Sequence, residues 1–469
     1  MKALLISILA AVILLHACRK DSFITAPDAR VTITADTLKY DTVFTSSGSV
    51  TRFFKIVNEN NQKLRLSSVK IMGGATSPFK MNVDGLATQH ATNIDIEAND
   101  SIYVFVQVNI NPATPNLPFV VRDSIQVSYN GNDRLVQLEA WGQNAHFLRN
   151  KEVLADETWT NDLPYVILGY LRVNQGRKLT IEKGCRIYIH ADAPIIIDGS
   201  LQVNGLKDTA DRVTFSGDRL DEPYRSYPAS WPGIFFTATS RDNVINFAFI
   251  RNSYQAIVSL DPSPNANPKV VLNECLIDNA YDAGIIGSNS SIKARNCLVT
   301  NCGKNVVLLG GNYDFNHCTV ASYSNMYILH RDPVLSIRNE DINDVVRNLD
   351  VVFRNSILWG ANGTPDSEVV VTRSANTGGN LFLVNFSNNL WKVQSPPAAI
   401  TTNVSNINPS DPLFDTIDVS RQIYDFRLKP GPPPSPAIDK GINTGLVFDL
   451  EGKPRNVGPP DLGCFEKQP

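Results

Sequence analysis

The chain has 469 residues, 43% of them hydrophobic and 19% charged, with a formal net charge of -3. That length exceeds what one compact core usually serves, so it implies two or more domains or one elongated repeat. The charge balance lacks the basic excess that draws a protein to a nucleic-acid backbone, which removes nucleic acid from the expected partners.

Lys2 opens the chain as a short positive region, and Ala3 to Ala17 is apolar apart from Ser7 and His16. As a helix this run would rise about 22 Å, short of the roughly 30 Å hydrocarbon core, so a cleaved signal peptide fits better than a membrane span. Leu15-His16-Ala17-Cys18 resembles the bacterial lipobox, whose cysteine is lipidated and becomes the mature N-terminus, although His16 replaces the small or branched residue usual there. Residues 1–17 are expected to be a lipoprotein signal peptide, 18–24 a tether and Cys18 the lipidation site. The mature protein is then exported and held to a membrane through its N-terminal lipid, at the outer membrane or cell surface. The alternative is an ordinary signal peptide cut nearby.

Residues 25–147 carry runs such as "VTITAD", "TRFFKIVNEN", "LRLSSVKI", "SIYVFVQVNI" and "RLVQLEAWG", separated by Asn, Gly, Pro and Asp clusters. They predict six or seven short antiparallel strands in an immunoglobulin-like β-sandwich, without the Cys-Trp-Cys pattern of antibody domains. Such a module between an anchor and a second domain reads as a spacer.

Residues 148–469 contain an internal repeat. Aligned on Cys275, Cys297 and Cys318, the segments "VVLNECLIDN", "SIKARNCLVTN" and "NYDFNHCTVAS" recur at spacings of 22 and 21 residues, and weaker copies centre on Ala248, Ser356 and Asn389. Three residues before the centre stand Ile245, Leu272, Ala294, Phe315, Phe353 and Phe386; two after it stand Ile250, Ile277, Val299, Val320, Leu358 and Trp391. Strict strand alternation would place the residue three before the centre on the opposite face from the centre, so the chain must bend between them. The position just before the centre, with Asn296, Asn355 and Asn388 in three copies, supplies the bend, because Asn tolerates left-handed backbone. A third apolar strand follows in the first five copies: 256–260, 283–287, 305–309, 326–330 and 368–372. Two strands joined at an Asn bend, a third strand and a turn make one coil of a parallel β-helix. The central cysteines would form an interior ladder and read as small buried hydrophobes. No CxxC occurs, and no metal site or cofactor is expected.

From about residue 150 onward the chain resembles the right-handed parallel β-helix lipoproteins of Bacteroidetes-type bacteria, in the pectate-lyase-like superfamily. The resemblance rests on "LTIEKGCRIYIHADAPIIIDGSLQVNGLKDTADRVTFSGDR", "WPGIFF", and the tail "SPAIDKGINTG" and "DLEGKPRNVGPPDLGCFE". It implies an all-β chain, a sandwich followed by a right-handed parallel β-helix with a C-terminal cap. It leaves activity open, since that fold hosts lyases, hydrolases, adhesins and proteins without assigned chemistry.

Calcium-dependent lyases of that superfamily set carboxylates on one stacked strand face, and here the third strands are Ala, Ile, Val, Leu and Gly, with Glu368 only at the start of one. The catalytic residues are therefore unassigned. The spacings from Cys318 to Ser356 and from Ser356 to Asn389 are 38 and 33 residues, longer than one coil, so loops should emerge beside the third strand. In them Tyr327, His330, Arg331, Asp332, Arg338, Asp366 and Arg373 are candidates to hydrogen-bond or stack on a polysaccharide, with Trp359 as a second platform. The expected function is carbohydrate binding by an anchored cell-envelope protein. The alternatives are a polysaccharide lyase or glycoside hydrolase with a loop-built site, and a structural or adhesive surface protein.

Overall fold

The computed structural model describes residues 22–44, 50–110, 119–375, 379–455 and 457–468. The expected signal peptide and Cys18 lie outside the described residues. The chain divides into two compact units between Asn144 and Ala145.

The first unit is a β-sandwich of two five-stranded sheets. One sheet holds Val31–Ile33, Arg52–Asn58, Ser101–Val108, Phe79–Val83 and Leu86–Thr88; the other holds Thr37–Phe44, Asn132–Gln143, Phe119–Tyr129, Leu64–Ile71 and His90–Ile96. Ser101–Val108 shows how sequence makes the layer: Ile102, Val104, Val106 and Val108 are buried while Tyr103, Phe105 and Gln107 face out. Period-two alternation puts every second side chain into the shared core, where Phe54, Leu66, Val104, Val127 and Leu138 meet from both sheets. Asn130 and Gly131, both at positive φ (47° and 80°), close the tight turn between the two longest strands. Ten strands form rather than six or seven, and Thr37–Phe44 pairs parallel to its neighbour, which a composition of short alternating runs does not distinguish from antiparallel pairing.

The second unit is a parallel β-helix built on a 25-stranded sheet in which each strand pairs in parallel with its equivalent one coil away. Three stacks of strands enclose one core. The first stack includes Asn243–Asn246, Val270–Asn273, Leu349–Arg354 and Phe382–Ser387; the second includes Ala248–Arg251, Leu276–Asp278, Leu298–Thr300, Thr319–Tyr323 and Ile357–Ala361; the third includes Ile234–Phe236, Gln255–Leu260 and Leu335–Arg338. Ala283–Arg295 and Lys304–Asn316 each run through the third stack and into the first.

Both apolar columns read from the repeat are continuous. Ile245 pairs with Leu272, then Ala294, Phe315, Phe353 and Phe386 in turn. Ile250 pairs with Ile277, then Val299, Val320, Leu358 and Trp391. The residue before each centre is left-handed in all six copies: Phe247, Glu274, Asn296, His317, Asn355 and Asn388 have φ between 47° and 52°. That single conformation sends the preceding and following apolar residues into the same interior. There Phe315, Phe353 and Phe386 stack with ring centroids 4.6 and 5.6 Å apart, favourable spacing for offset aromatic pairs. The six described cysteines are buried and free, and burial pushes the Cys275 and Cys297 thiols up, away from the reactive thiolate.

The third strand of one coil differs from expectation. Met326 to His330 form a loop, with Met326 73% and Leu329 53% exposed, and the stacked strand is Leu335–Arg338, paired with Val306 to Leu309 and with Val369 to Thr372. Asn325 accepts the amides of Tyr327 (2.8 Å) and Ile328 (2.6 Å), a side-chain turn that competes with extended backbone.

The C-terminal segment lies along the outer side of the second stack, across successive coils. Leu298, Ala321, Tyr323, Ile357, Trp359 and Leu390 point outward and are buried against Phe414, Phe426, Leu428, Ala437, Leu450 and Leu462. The tail motifs tie it down. Asp449 accepts the amides of Glu451, Lys453 and Glu466 at 2.8 to 2.9 Å. Arg455 donates to Asn296 Oδ1 (2.8 and 3.1 Å), Glu466 Oε2 (3.1 Å) and the Gly463 carbonyl (2.9 Å). Asp461 accepts Asp439 N and Lys467 N at 2.7 Å. A buried guanidinium paired and bonded through all three nitrogens in this way fixes one docking register.

Candidate functional site

The outward face of the third stack is mostly apolar and carries no carboxylate in its two columns. One column runs Phe235, Val258, Ile286, Val307, Ser336, Val370, and the next runs Leu260, Ser288, Leu309, Arg338, Thr372. Among the described residues no group of three or more His, Cys, Asp or Glu side chains is placed to hold a metal ion.

The corner between the second and third stacks has a different surface. Three second-stack strands, Ala248–Arg251, Leu276–Asp278 and Leu298–Thr300, lead into a left-handed Asn: Asn252, Asn279 and Asn301 have φ of 62°, 57° and 51°. Asn279 donates to Asn252 Oδ1 at 2.8 Å, and the two amides donate to the carbonyls of Ser226 (3.0 Å) and Arg225 (2.7 Å), which pins the 218–230 loop against the corner. Two residues beyond each Asn stand Tyr254 and Tyr281, stacked at 5.8 Å and 46% and 53% exposed. On the pinned loop Tyr224 meets Tyr227 edge-on at 5.3 Å, and Tyr227 meets Tyr327 at 5.1 Å. Arg219 lies over the Tyr224 ring at 4.0 Å while its Nε and Nη2 donate to the two carboxylate oxygens of Asp221, so that ring is braced. Asp282, next to Tyr281, accepts Gln255 Nε2 (2.7 Å) and Lys304 Nζ (3.2 Å).

Five tyrosines thus occupy one corner and the loops beside it, each offering an apolar face and a hydroxyl at its edge. Rigid rings of this kind stack on the C–H faces of sugars while hydroxyls, amides and carboxylates take the sugar hydroxyls. Tyr224, Tyr227, Tyr254 and Tyr281 were not among the residues singled out from sequence. The signal was present for two of them: Tyr254 and Tyr281 each fall six residues after their repeat centres, Ala248 and Cys275.

The residues singled out from sequence separate into four places, the last of them the buried site of His330. Tyr327 joins the tyrosine corner, with Arg331 and Asp332 exposed on the same loop and Asp366 exposed on the neighbouring one, whose Thr364 bonds the backbone of His330 and Arg331. Arg338 and Arg373 stand at the far end of the third stack, Arg338 3.4 Å from Asp344 and Arg373 over the Phe382 ring. Trp359 is 8% exposed beneath the C-terminal segment and offers no open ring face.

His330 is buried, 2% exposed, with Nε2 3.0 Å from Oε1 of the fully buried Glu368; Lys392 Nζ lies 3.6 Å from the same oxygen and Val334 N donates to the other at 3.3 Å. A Cβ at Gly360 would fall 2.3 Å from both His330 Nε2 and Glu368 Oε1, so only glycine lets the backbone pass this close. The group braces the 324–333 loop from beneath and is closed to a substrate.

No family model matches the chain, and no curated protein matches it. Among solved structures it is similar to a family 123 glycoside hydrolase from Clostridium perfringens, described for glycolipid glycan hydrolysis, with TM-score 0.19 and 8% identity over 26% of this chain and 30% of that chain. It is also similar to a PapD-like domain of human CEP192, TM-score 0.18 and 7% identity over 28% of this chain and 93% of that domain. A third is the Salmonella enterica SafA pilin in complex with the SafB chaperone, TM-score 0.16 and 14% identity over 25% of this chain and 55% of that chain. The chain spans less than a third of the hydrolase's length, and likeness at these scores says nothing of function here.

Proposed function

We propose that the protein is an exported lipoprotein of the Bacteroidetes-type, pectate-lyase-like kind, whose sandwich is a spacer and whose right-handed β-helix binds extended carbohydrate. The observation that carries the binding reading is the tyrosine corner: four tyrosines at least 36% exposed, held by an Asn ladder and by ring-to-ring contacts, on a rigid stack of coils. Exposed aromatics on a soluble surface cost hydration free energy, and a preformed set of them suits a ligand with flat apolar faces. The coil repeat spaces such rings along the helix axis, which matches a polymer better than a single sugar. A glycan array with the full chain, followed by titration of the hits and a degradation screen, tests the reading. Binding lost in Tyr254→Ala/Tyr281→Ala supports it. Cleavage products from a bound polysaccharide would place the protein with the lyases or hydrolases instead.

A further inference from the structure

A second concavity lies between the outer face of the second stack and the C-terminal segment. It is a cleft of about 700 Å³, inside the range of roughly 300–1,000 Å³ typical of small-molecule sites. Its floor is Leu276 and Leu298, and half-buried Tyr424 and Phe465 form part of its wall.

Its charges are uneven. Five cations line it, Lys207, Arg212, Arg251, Arg427 and Lys453, against three carboxylates, Asp208, Asp425 and Glu451. Arg427 binds Asp425 at 2.7 Å and also Glu451, and Lys453 binds Glu451 at 2.7 Å, so those two are neutralised within the wall. Arg212 spends its donors on the carbonyls of Glu274 and Leu450. Arg251 and Lys207 are exposed and have no ion-pair partner among the described residues; the third carboxylate, Asp208, is likewise exposed and in no ion pair among them, which leaves two free cations against one free carboxylate. The carboxyl that feels Arg251 is Asp278 on the next coil; burial pushes it up toward its neutral form, and it accepts Thr300 Oγ1 at 3.0 Å instead. Phe249 fixes the cationic edge, because the guanidiniums of Arg212 and Arg251 sit 5.1 and 5.0 Å from its ring.

We infer that this cleft binds an acidic saccharide, with a sugar carboxylate paired to Arg251 and Lys207 and the ring against Tyr424 and Phe465. A bare inorganic anion would use the cations and leave the apolar wall empty; a neutral sugar would use the wall and leave two cations unpaired. Only a ligand carrying both parts matches the lining. The site is separate from the tyrosine corner and does not depend on it.

Calorimetric titration of the full chain at low salt with trigalacturonate, galactotriose and inorganic phosphate tests the assignment. Trigalacturonate should bind at least about tenfold more tightly than either of the others, with affinity falling as salt is raised. Arg251→Gln/Lys207→Gln should weaken it by about tenfold or more. Both side chains are exposed, so the variant should keep the wild-type circular dichroism and melting temperature. Tyr254→Ala/Tyr281→Ala should leave trigalacturonate binding in the cleft unchanged, which separates this site's failure from that of the tyrosine corner. Equal affinity for galactotriose, equal affinity for phosphate, or full affinity in Arg251→Gln/Lys207→Gln would each overturn it.

Discussion

Replacing Asn355 by Ala removes two separable contributions at one bend of the helix. The first is backbone: Asn355 sits at φ 51°, where a Cβ without a polar side chain to bond locally costs about 1 kcal/mol or more. The second is polar. Asn355 Nδ2 donates to His317 Nε2 and to the Ile442 carbonyl, both at 2.8 Å, and Oδ1 accepts Ile442 N at 3.0 Å. At about 1 kcal/mol net for each bond, with partly buried partners left behind, the variant should lose about 3–4 kcal/mol in all. Asn355→Gly loses the same bonds but fits left-handed backbone, so it should recover about 1 kcal/mol relative to Ala. Urea unfolding of the β-helix transition gives the order wild type, Gly, Ala in falling midpoint, and hydrogen exchange at the Ile442 amide should speed up in both variants. A Gly variant no more stable than Ala would refute the strain, and an Ala variant within about 0.5 kcal/mol of wild type would refute both the strain and the contacts to Ile442 and His317.

Val299→Asp, placed between Ile277 and Val320 in the interior column, should cost about 3–5 kcal/mol by burying an unpaired charge; a melting temperature near wild type would mean the column is open to water. Burial pushes the Glu466 carboxyl up to about 7 despite the facing Arg455. An acid whose folded value is raised stabilises the fold below its ordinary value near 4.5 and loses that contribution as pH rises through about 7, so Glu466→Gln should flatten the fall in stability across that window; an unchanged pH profile would contradict it. Cys18→Ala should abolish lipid labelling and release the chain from the membrane fraction, and unchanged labelling would end the lipoprotein reading.

Much of the β-helix was legible because its determinants are local and repeated. The columns at Ile245 and Ile250 and the bend residues recur at near-constant spacing, and six aligned copies fix both register and the left-handed position. What was not legible depends on contacts distant in sequence. Trp359 looks like an outward ring on a coil, and it is outward, but the segment carrying Leu428 and Leu462 covers it. The strand at Leu335–Arg338 was hidden because "MYILH" is equally apolar and only the turn set by Asn325 and pairing to Val306–Leu309 decide between them. Tyr224 and Tyr227 lie on an insertion with no repeat counterpart, and nothing local shows that Asn252 and Asn279 draw that loop to Tyr254 and Tyr281.

The most direct test of the central claim is the affinity of the full chain for the strongest glycan-array hit, measured beside Tyr254→Ala/Tyr281→Ala and Tyr227→Ala. These rings are exposed, so the variants should melt like wild type while affinity falls about tenfold for each stacking ring removed, near 1.4 kcal/mol apiece. Undiminished affinity in all of these variants, or an array on which the wild-type chain binds no carbohydrate, would contradict the account.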